Sequence, residues 1–276
     1  MKKLLLPLIL SILLSACNLT IVSGSGKIAS SNRAVSAYTQ LVFDAPGELT
    51  IAQNGKEALT ITGDDNLLGY IKTAVEAGVL HIYVTPGIAL LDATQPIRYI
   101  LNVKSLNEIS LDGSGKIISA GLDGDKVALK LNGSGDMALG SLEVTSLDFQ
   151  MNGSGSLKLD ALTAKKVTLG MNGSGSAAIN ALSADELQAE VKGSGAYVLK
   201  GKVTRQNLSS LGSGKYDARA LESGQADISV IGSGDSKVWA TESLNVSILG
   251  SGSVGYLGRP KLSQQVSGSG NIYSLE

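Results

Sequence analysis

Apolar and polar residues alternate strictly over most of the chain, and the alternation restarts about every 20 residues. In the first clear run, every second position from Val127 to Leu131 is apolar. The equivalent runs one and two periods later are Leu147–Met151 and Val167–Met171. Alternation with a period of two is typical of a β-strand that has one buried and one solvated face. Each period therefore predicts at least one strand of about five residues.

Glycine-serine-glycine triplets follow these runs at intervals of 18 to 20 residues. Self-similarity at a fixed period is the signature of a repeat protein. Glycine adopts positive φ angles without steric cost, so each triplet is predicted to form a corner where the chain turns. The triplets begin at Gly113, Gly133, Gly153, Gly173, Gly193, Gly212, Gly232, Gly250 and Gly268.

The apolar residues occupy the same positions in each 20-residue repeat, which favours stacked coils over hairpins. Strands in a meander reverse direction, so their inward-facing positions would not line up in one column. Stacked coils align them directly, with each side chain about 4.8 Å above its counterpart. The sequence therefore predicts an all-β fold, a parallel β-helix (solenoid) with coils of about 20 residues. Parallel crossover connections are nearly always right-handed, and a right-handed solenoid is predicted.

Residues 54–106 depart from the 20-residue period. We interpret them as an enlarged coil or a cap that covers the lower end of the stack, because an uncovered solenoid end leaves backbone groups unpaired. Strands are predicted at Ala58–Thr62, Gly69–Val75, Val79–Val84 and Ile97–Val103.

One domain is predicted for residues 24–276, irregular over 54–106 and regular over 107–276. Two segments before the irregular part, Ile21–Ile28 and Pro46–Ile51, have the pattern of a first and a second coil. The final segment, Asn271–Glu276, carries no signal for a cap. Burial of this last coil against a partner or a second copy is one consequence to consider.

The first residues indicate export. Lys2 and Lys3 precede an apolar run from Leu4 to Leu14. A membrane-spanning helix needs about 20 apolar residues, so this shorter run predicts a signal peptide over residues 1–16 rather than an anchor.

The signal peptide ends in Leu14-Ser15-Ala16-Cys17, which resembles a bacterial lipobox. The resemblance implies that Cys17 becomes the first mature residue and carries lipid such as palmitate, with residues 17–23 as a short linker. Asn18 follows in place of Asp, which in Gram-negative lipoproteins implies sorting to the outer membrane. A cell-envelope protein anchored through lipid is therefore expected, on either face of that membrane.

Composition removes several classes of function. The chain of 276 residues is 43% apolar with a formal net charge of −1, which excludes a disordered chain and argues against nucleic-acid binding. A single Cys and a single His leave no Cys/His zinc site, and Cys17 is assigned to the lipid. His81 lies in a predicted strand and is interpreted as structural. No metal, cofactor or catalytic residue is expected.

One outward column is the best candidate for ligand binding. It lies five residues after each triplet and combines charges with the one tryptophan, which suits an extracellular glycan or protein. The other interpretation is an ordinary solvated face. The coils contain no insertions that would wall a catalytic cleft, so an enzyme is not expected. The column consists of Asp160, Asn180, Lys200, Arg219 and Trp239.

The stretch Leu80-His81-Ile82-Tyr83-Val84 and the serial glycine-serine-glycine motifs resemble the family described as putative auto-transporter adhesin, head GIN domain. The resemblance covers roughly residues 24–276. It implies a right-handed β-helix on a surface or envelope protein and brings no catalytic residues.

The leading hypothesis is thus a non-catalytic, lipid-anchored envelope protein that presents a rigid β-helix for adhesion or surface interaction. Two alternatives stay open, a polysaccharide-active enzyme on a β-helix and a structural envelope protein that assembles through its solenoid end. The last alternative implies self-association through the C-terminal coil.

Overall fold

The structure is a computed structural model that describes residues 20–276, so the predicted signal peptide and Cys17 lie outside the described residues. The described chain forms twenty strands and no helix. Accordingly, residues 20–276 contain no helix long and apolar enough to cross a membrane. The N-terminal strands are β1 (Thr20–Ser23), β2 (Ile28–Arg33), β3 (Gln40–Asp44), β4 (Glu48–Gln53), β5 (Ala58–Asp64), β6 (Ile71–Glu76), β7 (Val79–Val84), β8 (Ile88–Asp92) and β9 (Arg98–Val103). The later strands are β10 (Glu108–Gly113), β11 (Lys116–Gly133), β12 (Asp136–Gly153), β13 (Ser156–Gly173), β14 (Ser176–Gly193), β15 (Ala196–Gly212), β16 (Lys215–Gly232), β17 (Asp235–Gly250), β18 (Ser253–Leu257), β19 (Lys261–Gly268) and β20 (Asn271–Ser274).

Strands β10 to β17 stack in parallel, each on the one before it. Leu129 of β11 pairs with Phe149 of β12, and the corner glycines Gly133 and Gly153 pair in the same register. The result is a β-solenoid of about 8 turns with coils of about 20 residues. The predicted fold class is confirmed.

Each regular coil has three faces, because the alternation of buried and exposed residues changes phase at three places. In β12 two outward residues separate buried Leu139 from buried Leu142, and two more separate Val144 from Leu147. The glycine-serine-glycine triplet makes the third change. In β12 the faces are face A (residues 136–139), face B (141–144) and face C (146–152).

The triplets form the corners between face C and face A of the next coil. Gly133 has a φ of 123°, and a Cβ atom there would lie 2.5 Å from the carbonyl oxygen of Gly113. The backbone N–H of Ser134 donates to the same carbonyl at 2.9 Å. Stacked corners therefore hydrogen-bond directly and leave no room for a side chain, as the repeat predicted.

An amide ladder runs beside the first corners. Asn132 Nδ2 donates to Asp112 Oδ1 at 2.8 Å, and Asn152 Nδ2 donates to Asn132 Oδ1 at 3.1 Å. Later coils have Lys192 and then aliphatic residues in this column. The ladder is local, since the solenoid continues without it.

One coil lies below the first triplet. β3 pairs with β10 and β4 pairs with β11, both in parallel, with Glu48 opposite Lys116. Residues between Asp44 and Glu48 replace the triplet, and Lys116 N–H donates to the carbonyl of Gly47 at 2.9 Å. The coil predicted at Pro46–Ile51 is confirmed.

The coil predicted at Ile21–Ile28 is wrong. β1 pairs with β8 in a separate two-stranded sheet, and β2 runs antiparallel to β5. The glycine-serine-glycine triplet between β1 and β2 does not stack on another triplet. Its Gly26 N–H donates instead to the side chain of Asp64, at Oδ1, over 2.7 Å. A triplet without a neighbour one period away is therefore no corner of the solenoid.

The irregular segment stacks β7 and β9 in parallel on β3 and β4, and it closes the lower end with antiparallel strands. β5 pairs antiparallel with β2 and β9, and β6 pairs antiparallel with β7. The four strands predicted in this segment correspond to β5, β6, β7 and β9. β8 was not predicted, because its five residues show no clear alternation.

Buried Asp64 ties this cap together. It accepts hydrogen bonds from Thr94 N–H at 2.9 Å and Thr94 Oγ1 at 2.8 Å, besides the one from Gly26. Burial acts to raise the pKa of Asp64, but these hydrogen bonds outweigh it and hold the pKa below its ordinary value. The residue therefore stays an anion that joins the chain before β2 to the chain after β8.

Candidate functional site

A surface groove of about 1090 Å³ runs along the solenoid near the junction of faces B and C. Seven consecutive strands, β11 to β17, contribute to it. Six steps of about 4.8 Å make it about 29 Å long. We call this feature the axial groove. Its central column consists of Gly124, Val144, Ala164, Ala184 and Val203.

The central residues are mostly buried, and two outward polar columns flank them. The side chains within a column are about one coil step apart, so the groove presents a ladder of hydroxyl, carboxylate and ammonium groups. Such groups donate and accept hydrogen bonds along an extended ligand. The face B column is Asp123, Glu143, Thr163, Ser183, Lys202 and Glu222. The face C column is Thr145, Lys165, Asp185, Thr204 and Glu242.

The axial groove is acidic. Five carboxylates face two lysines, which gives a net charge of −3. Lys202 Nζ lies 2.8 Å from Glu222 Oε1, and this hydrogen bond raises the pKa of Lys202. One of the two cations is thus already paired, and the remaining carboxylates dominate the field along the groove.

The axial groove is an open surface recess rather than an enclosed pocket. The groove is open to solvent along its length and no histidine or cysteine lines it. Within residues 20–276 no three His, Cys, Asp or Glu side chains form a group able to hold a metal ion. A surface of this kind holds a ligand by many spaced hydrogen bonds.

The outward column predicted from the sequence lies at the corner between faces A and B. Its first two members are in contact, since Asn180 Nδ2 donates to Asp160 Oδ1 at 3.1 Å. Lys158 Nζ lies 3.3 Å from the same carboxylate oxygen. The hydrogen-bonding groups of Lys158, Asp160 and Asn180 are therefore partly paired with one another.

Arg219 and Trp239 do not continue this column. The register shifts after Val198, so that Lys200 pairs with Ala220. Arg219 instead forms two hydrogen bonds with Asp217 on its own strand, at 3.0 and 2.6 Å. These bonds raise the pKa of Arg219 and lower the pKa of Asp217.

Trp239 lies at the edge of the axial groove, and its neighbour Val238 pairs with Ala218, the residue before Arg219. A second register shift pairs Trp239 with Glu222 of the face B column. The structure therefore joins Asp160 with Asn180 and brings Trp239 to the groove, but it does not assemble one stripe of five residues.

The axial groove was not predicted from the sequence. A signal for its columns existed, because Glu143, Thr163 and Ser183 recur at 20-residue spacing as outward, hydrogen-bonding residues. Their concave arrangement depends on the angle between two faces of the coil, which a repeat pattern does not encode.

A second exposed surface is aliphatic. Leu211, Ile231 and Leu249 pair in register on three successive coils and are all exposed at the end of face C. They occupy the column that begins as the amide ladder. The C-terminal third of the solenoid is therefore less polar on this edge than the middle.

Comparison with known proteins finds a match to one family model. The family model described as "Putative auto-transporter adhesin, head GIN domain" matches residues 37–165 and 160–260. No curated protein matches the chain significantly.

Several solved structures share the fold. A protein of Parabacteroides distasonis ATCC 8503, described as a putative lipid binding protein, is 26% identical with a TM-score of 0.71, over 93% of this chain and 100% of that one. A putative adhesin from the same strain is 24% identical with a TM-score of 0.76, over 92% and 100%. A putative adhesin from Parabacteroides merdae ATCC 43184 is 21% identical with a TM-score of 0.73, over 93% and 100%.

Proposed function

The chain belongs to the putative auto-transporter adhesin, head GIN domain family, and we propose that it is a lipid-anchored, non-catalytic protein of the bacterial outer membrane that binds an extended polar ligand in its axial groove. The adhesin-like family and the relatives described as adhesins support a surface or envelope protein. The name of one relative as a putative lipid binding protein is compatible with a place at a membrane.

Lipid anchoring is supported by the sequence before the domain. Cys17 ends a lipobox-like motif and is the only cysteine of the chain. Two or more acyl chains hold a protein stably on a bilayer, whereas one holds it marginally. Acylation at Cys17 therefore supplies the membrane attachment in this proposal.

The groove carries the binding part of the proposal. Its polar columns offer a hydrogen-bonding side chain at about every coil over about 29 Å, so a ligand with repeating polar groups can be held at many points. Its net charge of −3 favours ligands that carry amines over acidic ones. We infer a linear glycan with amino groups as the ligand class.

Binding of chitosan oligosaccharides to the detergent-solubilised full chain tests this proposal. Glu143→Lys places a cation in the groove and is expected to weaken binding at least several-fold, measured by calorimetry. Asp148→Lys on face C of the same strand is the matched control, because it makes the same charge change outside the groove. Equal loss in both variants, or no binding by the unaltered chain, contradicts the proposal.

A polysaccharide-active enzyme is the less favoured alternative, because the groove carries carboxylates but no walls that would exclude water from a reaction. A second candidate function, assembly through the solenoid end, is favoured by one observation. Leu262 and Val266 of β19 occupy inward positions above Leu244 and Ile248, yet both are exposed in the described structure. We propose self-association through this last coil as the second candidate.

A further inference from the structure

The small sheet of β1 and β8 has one buried and one exposed apolar face. Leu91 is 6% exposed and Val22 packs against the core, so these two residues fasten the sheet to the cap. Ile21 and Leu90 point the other way and are 57% and 51% exposed. They pair directly in register, so their side chains are neighbours on the outer face.

An exposed apolar pair of this kind is absent from the middle coils of the described solenoid. Between Ile100 and Val198 no large hydrophobic side chain is exposed, so the middle of the solenoid keeps its surface polar. Contiguous exposed apolar side chains mark contact surfaces more often than isolated ones do. We therefore expect the outer face of the β1–β8 sheet to contact another surface.

The position of Cys17 indicates that this surface is a lipid bilayer. β1 begins at Thr20, three residues after Cys17, and three residues span at most about 10 Å even when fully extended. If Cys17 carries lipid, as proposed above, Thr20 is held within this distance of the bilayer. The β1–β8 sheet then lies at the membrane surface by chain connectivity alone.

The polarity of the sheet matches this placement. On the outer face, its end nearest Cys17 carries Ile21 and Leu90, whereas Ile88 packs inward against the core. Its far end pairs Ser23 with Asp92, whose side chains are 3.4 Å apart and hydrogen-bonded. Apolar groups thus lie toward the lipid and polar groups toward water, as in other interfacial segments.

We propose that the outer face of the β1–β8 sheet, with Ile21 and Leu90, seats in the interfacial region of the lipid bilayer that holds Cys17. This contact rests on the lipid anchoring proposed above and adds a second attachment point. Two points of contact fix the tilt of the domain, whereas acyl chains alone leave it free to rotate. The axial groove lies on β11 to β17, outside this contact.

Fluorescence quenching in vesicles tests the contact. The full chain, acylated at Cys17 and therefore without a free thiol, receives one new cysteine in Leu90→Cys, which is labelled with an NBD fluorophore. The protein is reconstituted into phosphatidylethanolamine–phosphatidylglycerol vesicles with and without doxyl-labelled lipid. We expect a clear loss of fluorescence with the quencher.

Leu249→Cys is the matched control, because Leu249 is exposed to a similar extent, 57% against 51% for Leu90, but lies on β17 in the upper part of the solenoid. It should show no loss. Absence of quenching at Leu90, or equal quenching at both sites, overturns the proposal. A blue-shifted emission at Leu90 that the lipid does not quench indicates a second copy of the chain instead, and it also overturns the proposal.

Mass spectrometry of the same preparation separates the two proposals. An acylated N-terminal peptide with an unquenched Leu90 label means that anchoring is right and seating is wrong. A Cys17 without lipid contradicts the proposed anchoring itself. A charged variant, Leu90→Glu, gives a second readout, since it should reduce quenching of a label at Ile21→Cys while leaving the protein on the vesicle.

Discussion

At the residue scale, the corner glycines decide whether coils can stack. Gly153 has a φ of 141°, which L-residues with a side chain rarely adopt. A Cβ atom at this position would also press against the carbonyl oxygen of Gly133 in the coil below. Backbone strain and a steric clash therefore act at the same atom.

Gly153→Val is expected to lower the free energy of unfolding by about 3 kcal/mol, because it combines φ strain with a clash against backbone. Thermal and urea unfolding followed by circular dichroism measure the change. Ser154→Val is the control, since Ser154 is exposed at the same corner. An unchanged melting temperature for Gly153→Val would be inconsistent with stacked corners.

The corner glycines could be predicted from the sequence, whereas the role of Asp64 could not. The glycines recur with the period of the coil, so their spacing reveals that they stack. Asp64 binds Gly26, 38 residues earlier, and Thr94, 30 residues later. Neither separation is a multiple of the coil length, and no local pattern indicates the contact.

At the scale of the strand, a buried polar network accompanies the register shift between β16 and β17. Gln206 is fully buried in a column that is otherwise apolar, with Leu187 before it and Ala226 after it. Its Nε2 donates to Ser223 Oγ at 2.8 Å, and its Oε1 accepts from Tyr216 at 3.0 Å. Ser223 in turn donates to the carbonyl of Trp239 at 2.7 Å. This network satisfies backbone that the register shift between β16 and β17 leaves without a regular partner.

Gln206→Leu restores an apolar column but leaves the Tyr216 hydroxyl buried without its acceptor. We expect a loss of about 1–3 kcal/mol in stability, the usual cost of an unsatisfied buried group. Tyr216→Phe added to Gln206→Leu should recover part of this loss, because it removes the orphaned hydroxyl. Urea unfolding of both single variants and the double variant measures the coupling. Strictly additive effects would mean that the two side chains act independently.

The strands of the regular coils could be predicted because the sequence of each coil resembles that of its neighbours. The strands β5, β6, β7 and β9 could be predicted because apolar and polar residues alternate within each of them. The pairing of β1 with β8 could not be predicted. It joins segments about 68 residues apart, since Thr20 lies opposite Ile88, and neither segment carries a periodic signal. Antiparallel pairing of β2 with β5 was missed for the same reason.

At the scale of the whole molecule, the two ends of the solenoid differ. The lower end is covered by the antiparallel strands of the cap. At the upper end every residue of β19 is exposed, including the inward-facing Leu262 and Val266. A contact between two such ends therefore forms a closed dimer, because the covered end offers no matching surface for a filament.

Self-association through β19 is expected to give a dimer and no larger species as concentration rises, measured by sedimentation velocity of the detergent-solubilised chain. Val266→Lys should abolish it, because a charge would be buried without a partner. Leu211→Lys alters an equally exposed aliphatic residue on the side of the solenoid and serves as the control. A monomer at all concentrations, or a dimer that survives Val266→Lys, would count against this end contact.

The overall architecture could be predicted from the sequence, but the axial groove could not. Column membership follows from spacing, so Glu143, Thr163 and Ser183 could be placed on one face. Whether adjoining faces meet at a convex or a concave angle depends on the packing of inward side chains such as Val144 and Leu147. That angle is a property of the assembled core.

Because each coil from β11 to β17 adds residues to the axial groove, the number of coils sets the length of the groove. Duplicating one repeat within a gene lengthens the recess by about 4.8 Å and adds one more set of contacts, without altering any contact already present. Affinity for a polymer can thus be tuned in discrete increments, by copying a module instead of redesigning a pocket.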